Sequence, residues 1–162
     1  MSADLLDDHP RNKDLINIAL RYLSLREYSK KELKQKISKK QNFTEDEYEN
    51  SFEYLKLKNY LSEERYIRQK ANILKNKGHS IHYIVQFLQS EGVYTTTQEI
   101  MDLELDSDDD LIKRLIMKKS KGLELNNLCQ KKTNSIIRYV CSKGHSYSKV
   151  KDAINSLKNL HY

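Results

Sequence analysis

A four-residue phrase, Lys-Gly-His-Ser, occurs twice in the sequence, at Lys77–Ser80 and at Lys143–Ser146, an offset of 66 (143 minus 77). Apolar residues stand six and seven places before each Ser, and four and eight places after it. The spacing of four is one helical turn, so each Ser is predicted to cap the N-terminus of a helix. The Gly before it favours a left-handed end to the preceding helix. Each copy therefore predicts a helix, a tight corner and a second helix. The apolar positions are Ile73, Leu74, Ile84 and Leu88 in the first copy, and Tyr139, Val140, Val150 and Ile154 in the second.

A third, weaker copy surrounds Ser29, with Tyr22 and Leu23 before it and Leu33 and Ile37 after it. One such unit cannot bury its apolar face alone, so three copies predict stacked repeats. We therefore predict an all-α protein of three tandem three-helix repeats, forming an elongated, curved, right-to-left stack of helical hairpins. The predicted divisions are a flexible leader over 1–12 and repeats over 13–61, 62–106 and 107–162, all in one continuous repeat domain.

The composition agrees with small helices that share narrow interfaces. The chain has 162 residues with one Pro and four Gly, and is 38% hydrophobic and 32% charged, which allows only a thin core. It has no apolar run long enough to cross a membrane, and its first residues lack the pattern of a secretory signal. We expect a cytoplasmic protein in which Cys129 and Cys141 are reduced thiols.

The charge is distributed unevenly along the chain. Residues 99–110 contain seven acidic and no basic residues, whereas residues 113–162 contain twelve Lys and Arg but only Glu124 and Asp152 as acids. A basic arm behind an acidic segment predicts an anionic partner.

The sequence contains little that indicates catalysis. It has no Gly-rich phosphate loop, no nucleophile elbow and no Cys-x-x-Cys motif. His79 and His82 are three apart, but no third ligand stands near them, so we predict no zinc site. His79 and His145 occupy the same place before the capping Ser, which favours a packing role at the corners. We predict a protein that is not an enzyme and that has no cofactor.

Two stretches resemble the RecX recombination regulators. The run at 19–33 reads Ala-Leu-Arg-Tyr-Leu-Ser-Leu-Arg-Glu-Tyr-Ser-Lys-Lys-Glu-Leu and is similar to the opening motif of that family. The run at 55–66 is similar to the next block, where the family usually has Asp at the places of Ser62 and Glu63 and often Phe at Tyr66. The two corners match the later repeats, although the family more often has Arg-Gly-Phe-Ser where 143–146 stands. The resemblance covers roughly residues 14–158.

The resemblance implies three helical repeats, no catalysis, and a cytoplasmic bacterial protein, here expected to be a monomer, that binds RecA. RecX proteins lie in the groove of the RecA–DNA filament. They damp strand exchange and co-protease activity by blocking filament growth or by favouring disassembly.

A concave basic face would follow such a groove or a phosphate backbone without reading bases. Tyr22, Tyr28, Tyr139 and Tyr147 either add stacking there or belong to the core. The predicted RecA- or DNA-binding residues are Arg26, Lys30, Lys31, Lys34, Arg65, Arg68, Lys118, Lys119, Lys121, Lys131, Lys132, Arg138, Lys143, Lys149 and Lys151.

Two other classes of function stay open. A corner between two helices also describes a helix-turn-helix, so the chain is alternatively a helical DNA-binding protein that acts directly on single- or double-stranded nucleic acid. A plain scaffold of repeats, without affinity for RecA or DNA, is the third class.

Overall fold

A computed structural model describes residues 12–103, 105–121 and 123–159. Within these ranges the regular structure is entirely helical, which confirms the predicted all-α class. The helices are α1 (Lys13–Leu23), α2 (Lys30–Ser38), α3 (Glu45–Leu57), α4 (Glu63–Asn76), α5 (Ile81–Ser90), α6 (Thr97–Met101), α7 (Asp108–Ser120), α8 (Gln130–Cys141) and α9 (Tyr147–Asn159), with a single 3₁₀ turn at Leu125–Asn127.

Most of the described helices begin where a polar side chain accepts from a free backbone N–H, and α8 is an exception. Ser29 Oγ accepts from the backbone N–H of Glu32 at 3.0 Å, as the repeat predicted. Thr44 and Glu47 form a reciprocal capping box at the start of α3. Each such cap removes an unpaired donor from the first helical turn and is worth about 1 kcal/mol.

Left-handed residues end the helices at the predicted corners. Gly78 has φ of +85° and Gly144 has φ of +91°, a region that a residue with a Cβ enters at a cost. At the end of α7 the left-handed residue is Lys121, with φ of +55°. The sequence places Gly122 next, a residue type that favours the end of a helix, but Gly122 lies outside the described residues.

One compact unit consists of the chain up to Gln69 together with Ser90–Val93; we call it the first unit. The apolar stripe of α1 packs there against the inward faces of α2 and α3. Fully burying one Leu or Ile contributes about 1.5–3 kcal/mol, so this small cluster supplies much of the driving force for folding. Its buried residues are Leu15, Ile16, Ala19, Tyr28, Leu33, Ile37, Tyr48, Phe52, Leu55 and Leu61.

The second unit consists of Lys70–Gln89 and the chain from Tyr94 onward. Helices α7, α8 and α9 pack against one another there, and the 3₁₀ turn contributes one Leu to their core. The buried residues of this cluster are Ile112, Leu115, Ile116, Leu125, Ile136, Val140, Val150 and Ile154.

The second unit also contains a buried ion pair that the sequence did not indicate. A lysine in a helix is ordinarily exposed unless it is paired, and the sequence does not distinguish Lys75 from the other basic residues of α4. Lys75 is only 3% exposed, and its Nζ lies 2.5 Å from Asp108 Oδ1. The same carboxylate accepts from the backbone N–H of Ile81, at the start of α5. Asp108 therefore ties the end of α4 and the start of α5 to the start of α7.

The division into three repeats and the curved stack stay predictions. Of the predicted leader over 1–12, only Asn12 is among the described residues, and its side chain caps α1 by accepting from Leu15 N at 3.0 Å. None of the described helices combines the length and the apolar character needed to cross a membrane.

Candidate functional site

The two copies of the repeated phrase contact each other within the second unit. We call residues 77–80 the first corner and residues 143–146 the second corner. Ser80 donates its backbone N–H to the carbonyl of Lys143 at 3.0 Å and its hydroxyl to the carbonyl of Gly144 at 2.9 Å. In return, His145 Nε2 donates to the carbonyl of Gly78 at 2.9 Å. The corners therefore position one another, and with them the basic residues beside them.

The two histidines of the corners have different surroundings, although both have the predicted packing role. His145 is buried. The ring of His79 stacks on that of Tyr83 with a centroid distance of 4.0 Å. Burial lowers the pKa of His79, and the nearby ammonium group of Lys143 lowers it further. Both effects favour the neutral ring at the first corner.

Next to the corners lies a cleft of about 500 Å³, which we call the Tyr139 cleft. Four basic side chains line it, and they come from the first corner, from α7 and from the second corner. It has no acidic residue in its lining. The lining residues are Asn76, Lys77, Gly78, Leu111, Arg114, Leu115, Lys118, Tyr139 and Lys143.

Two ammonium groups lie over the half-buried ring of Tyr139. Lys119 Nζ is 5.1 Å and Lys143 Nζ is 5.9 Å from the ring centroid. A cation over an aromatic face gains about 0.5–1 kcal/mol at an exposed site. The ring thus holds two cations in place without neutralising their charge.

The structure brings Lys118 and Lys143 of the predicted set together in the lining of this cleft, and Lys119 contacts it through the ring of Tyr139. It also adds two residues that were not predicted, Lys77 and Arg114. Both could have been identified from the sequence, because Lys77 begins the repeated phrase and Arg114 stands one helical turn before Lys118.

Acidic residues near the start of α7 reach two of the basic side chains. Asp106 pairs with Arg114 at 2.5 Å, and both side chains are more than half exposed. Asp109 lies 3.7 Å from Lys149 of α9. Pairs this exposed are worth between zero and about 1 kcal/mol, so they do not prevent these cations from meeting another anion.

The other predicted residues of the second unit lie outside the Tyr139 cleft. Lys121 and Lys132 line a neighbouring cavity of about 230 Å³, together with Lys119. Lys131, Arg138 and Lys151 are exposed on α8 and α9.

In the first unit, several predicted cations already have carboxylate partners. Lys30 pairs with Glu53 at 3.0 Å, and this hydrogen bond lowers the pKa of the Glu53 carboxyl. Lys34 pairs with Glu45 at 2.5 Å. These two lysines of α2 therefore connect α2 to α3.

Arg26 and Arg65 have similar intramolecular roles. Arg26 pairs with Glu32 and lies over the ring of Tyr28, 3.7 Å from its centroid. Arg65 Nε binds Glu27 at 2.6 Å, and its terminal nitrogens donate to Asn59 Oδ1 and to two backbone carbonyls. This guanidinium links the loop before α2 to the loop before α4.

The remaining candidates of the first unit also lie at its surface. Lys31 Nζ donates to the carbonyl of Ser90 at 2.7 Å, and Arg68 is exposed. Of the tyrosines, Tyr28 is buried, Tyr22 is half-buried and lies edge-on to Tyr28, and Tyr147 of the second unit is 59% exposed.

The described part of the chain holds no group of three or more His, Cys, Asp or Glu side chains placed to bind a metal ion. His82 is engaged with Gln86 one turn further along α5, at 3.0 Å. Cys129 and Cys141 are both free thiols, and burial raises the pKa of Cys141.

Comparison with known proteins identifies the fold. The sequence matches no protein-family model and no curated protein. The structure is similar to the crystal structure of RecX from Lactobacillus salivarius, with a TM-score of 0.67 and 20% sequence identity. The match covers 89% of this chain and 94% of that one. The RecX resemblance of the sequence is thus confirmed at the level of the fold.

Proposed function

We propose that this protein is a RecX-like, non-catalytic regulator of the RecA recombinase that acts in the cytoplasm as a monomer. It binds the RecA–DNA filament and limits filament growth, strand exchange and co-protease activity. The observation that carries the proposal is the RecX fold, which extends over most of both chains. The motif at 19–33, which resembles that of the RecX family, supports the same conclusion.

The charges of the second unit give this proposal a physical basis. Among the described residues, no carboxylate lies within ion-pair distance of Lys118, Lys119 or Lys143. Such cations attract an anionic filament and release its counterions on binding, so affinity falls steeply as salt rises. A regulator of this kind acts by occupying the filament and needs no catalytic group.

The direct test is a time course of DNA-dependent ATP hydrolysis by RecA, with and without this protein. We expect the steady rate to fall as the protein is added, because shorter filaments contain fewer active subunits. The inhibition is expected to weaken when salt is raised within the range that leaves RecA alone active. An unchanged rate at a molar excess of the protein would refute the proposal.

A charge-matched pair of variants tests the role of the second unit. Replacing Lys131, Lys132 and Arg138 by Ala removes three exposed cations of α8. Inhibition is expected to weaken while the circular dichroism spectrum keeps its helical form. The control replaces Lys13, Lys36 and Lys39 of the first unit, which are also exposed. Equal inhibition by both variants would count against the second unit as the contact surface.

The acid-free cationic cleft also favours the second candidate, a helical protein that binds DNA without RecA. In that case a sequence-specific footprint on duplex DNA would form in the absence of RecA, and ATP hydrolysis by RecA on saturating DNA would be unaffected.

A further inference from the structure

The Tyr139 cleft differs from the other basic regions of the molecule in how its charges are compensated. In the first unit, Lys30 and Lys34 each have a carboxylate at 3.0 Å or less. In the cleft, the described residues provide a carboxylate partner only for Arg114, and that pair is exposed to solvent.

The cleft is also organised before any ligand binds. The hydrogen bonds between the corners bring Lys77 and Lys143 to the same opening, although they are distant in sequence. Tyr139 holds the ammonium groups of Lys119 and Lys143 near its ring. Keeping like charges close together costs free energy, and an anion that bridges them recovers it. An arrangement of this kind is expected of a site that binds several negative charges at once.

We propose that the Tyr139 cleft binds the phosphodiester backbone of a DNA strand. This assignment rests on the proposed function, since it names the component of the filament that the cleft contacts. Lys77, Lys118 and Lys143 each bind a phosphate oxygen, and Arg114 exchanges Asp106 for a phosphate. Tyr139 is a positioning residue that keeps Lys143 directed at the strand.

The lining of the cleft favours a phosphate backbone over an acidic peptide. Leu111 and Leu115 are buried in the floor, so the cleft offers no deep apolar recess of the kind that anchors a peptide side chain. Its accessible groups are ammonium, guanidinium, amide and phenol. These groups suit repeated phosphates, which fix position without reading bases.

The test compares two triple variants by fluorescence anisotropy with a labelled oligothymidylate and without RecA. The cleft variant carries Lys77→Gln, Lys118→Gln and Lys143→Gln. The control carries Lys13→Gln, Lys36→Gln and Lys39→Gln, so it loses the same charge from exposed positions outside the predicted binding set. We expect the cleft variant to bind at least about tenfold more weakly and its salt slope to fall by about 2, since each lost phosphate contact removes about 0.7. The control is expected to change by less than about threefold.

A second pair of variants tests the positioning role. Tyr139→Phe keeps the ring and is expected to bind as the parent does. Tyr139→Leu removes the ring and is expected to weaken binding about two- to tenfold, with a salt slope closer to that of the cleft variant. Equal affinities for these two variants would overturn the role of the ring.

Three results would overturn the assignment of the cleft itself. The first is an equal loss of DNA affinity in the cleft and control variants. The second is displacement of the labelled oligonucleotide by polyglutamate as readily as by unlabelled oligonucleotide. The third is binding of inorganic phosphate as tightly as the DNA strand. A parallel titration with a duplex shows whether the bound backbone belongs to one strand or two, and either result supports a backbone site. Inhibition of RecA by the parent, together with unchanged DNA binding by the cleft variant, would refute the cleft while leaving the proposed function intact.

Discussion

The contact between the two corners can be tested by adding a single methyl group. In Gly144→Ala, the new Cβ would lie 2.7 Å from Ser80 Oγ and 2.7 Å from Tyr83 Cβ, closer than real Cβ contacts allow. Neither neighbour can move easily. The Ser80 hydroxyl is hydrogen-bonded on both sides, and Tyr83 Cβ is attached directly to the backbone of α5. The second corner would therefore have to separate from the first.

The expected cost has two parts. A left-handed conformation costs a residue with a Cβ about 1–2 kcal/mol, and Gly144 has φ of +91°. Overpacking a site that cannot relax costs about 1–3 kcal/mol more. The free energy of unfolding should therefore fall by about 2–5 kcal/mol, a large share of the ~5–15 kcal/mol typical of a domain.

Substitutions at two other glycines allow the conformational cost and the overpacking cost to be measured separately. Gly92 has φ of +75°, and no atom lies within 4 Å of the place that an added methyl group would occupy, so Gly92→Ala should cost only the conformational part. Gly78 has φ of +85°, and its new Cβ would meet Leu115 Cδ2 at 2.8 Å, the far end of a flexible side chain. Gly78→Ala lies in the same unit as Gly144 and should have an intermediate cost, because the leucine can turn away.

The measurement is urea unfolding of the three variants and the parent, followed by circular dichroism. The midpoints should fall in the order Gly92→Ala, Gly78→Ala and Gly144→Ala, with the last the least stable. If Gly144→Ala were as stable as Gly78→Ala, the close contact with Tyr83 would not be rigid. The proposed locking of the two corners would then be refuted.

Three further predictions concern charged and titrating groups. Asp108→Asn keeps an acceptor for the N–H of Ile81 but leaves Lys75 buried without a counter-charge, so urea unfolding should show a loss of about 3–5 kcal/mol, most of it recovered when Lys75→Met is added. In an NMR titration, the ring of His79 should titrate below the ordinary value of about 6.5, because burial lowers its pKa. The unfolded chain then binds the proton more readily, so the stability contributed by neutral His79 is present above about pH 6.5 and is lost as the pH falls through the folded pKa. A titration midpoint above about 6.5 would contradict this. The hydrogen bond from the backbone N–H of Thr96 lowers the pKa of Glu99, so the stability difference between the parent and Glu99→Gln, measured by urea unfolding, should shrink as the pH falls from about 4.3 through the folded pKa; a constant difference would argue against the capping box.

The corners could be predicted because their causes are local. The hydroxyl of Ser80 caps the helix that follows it, bonding the N–H of Tyr83 at 3.1 Å. Gly78 and Gly144 take the left-handed conformation that the end of a helix favours. These features depend on residues within one or two turns of each other, which a sequence displays directly.

The buried ion pair could not be predicted because its cause is distant. Lys75 and Asp108 are 33 positions apart, and each alone resembles an ordinary surface residue of a helix end or start. Asp108 stands in the first turn of α7, where the helix dipole favours an acidic residue. Its second role, as the counter-charge of a buried lysine, depends on how α4 packs near α7.

The candidate site was likewise only partly predictable. The excess of basic residues over 113–162 pointed to an anionic partner, and Lys118, Lys119 and Lys143 were named from it. The cleft that contains Lys118 and Lys143 also needs Lys77, which precedes that arm by many residues. Nor could charge counting show that Lys30 and Lys34 of the first unit have carboxylate partners.

The contacts between the two corners determine the order in which parts of the protein can fold during translation. Ser80 finds its acceptors at residues 143 and 144, and the carbonyl of Gly78 finds its donor at residue 145. At ordinary rates of translation, residue 143 follows residue 77 by roughly 3–13 seconds. The first unit has all of its residues once Val93 has emerged from the ribosome. The start of α5 can contact the second corner only after residues 143–145 have emerged as well. In a nascent chain that ends before these residues, the polar groups of Ser80 and the carbonyl of Gly78 would be hydrogen-bonded to water instead.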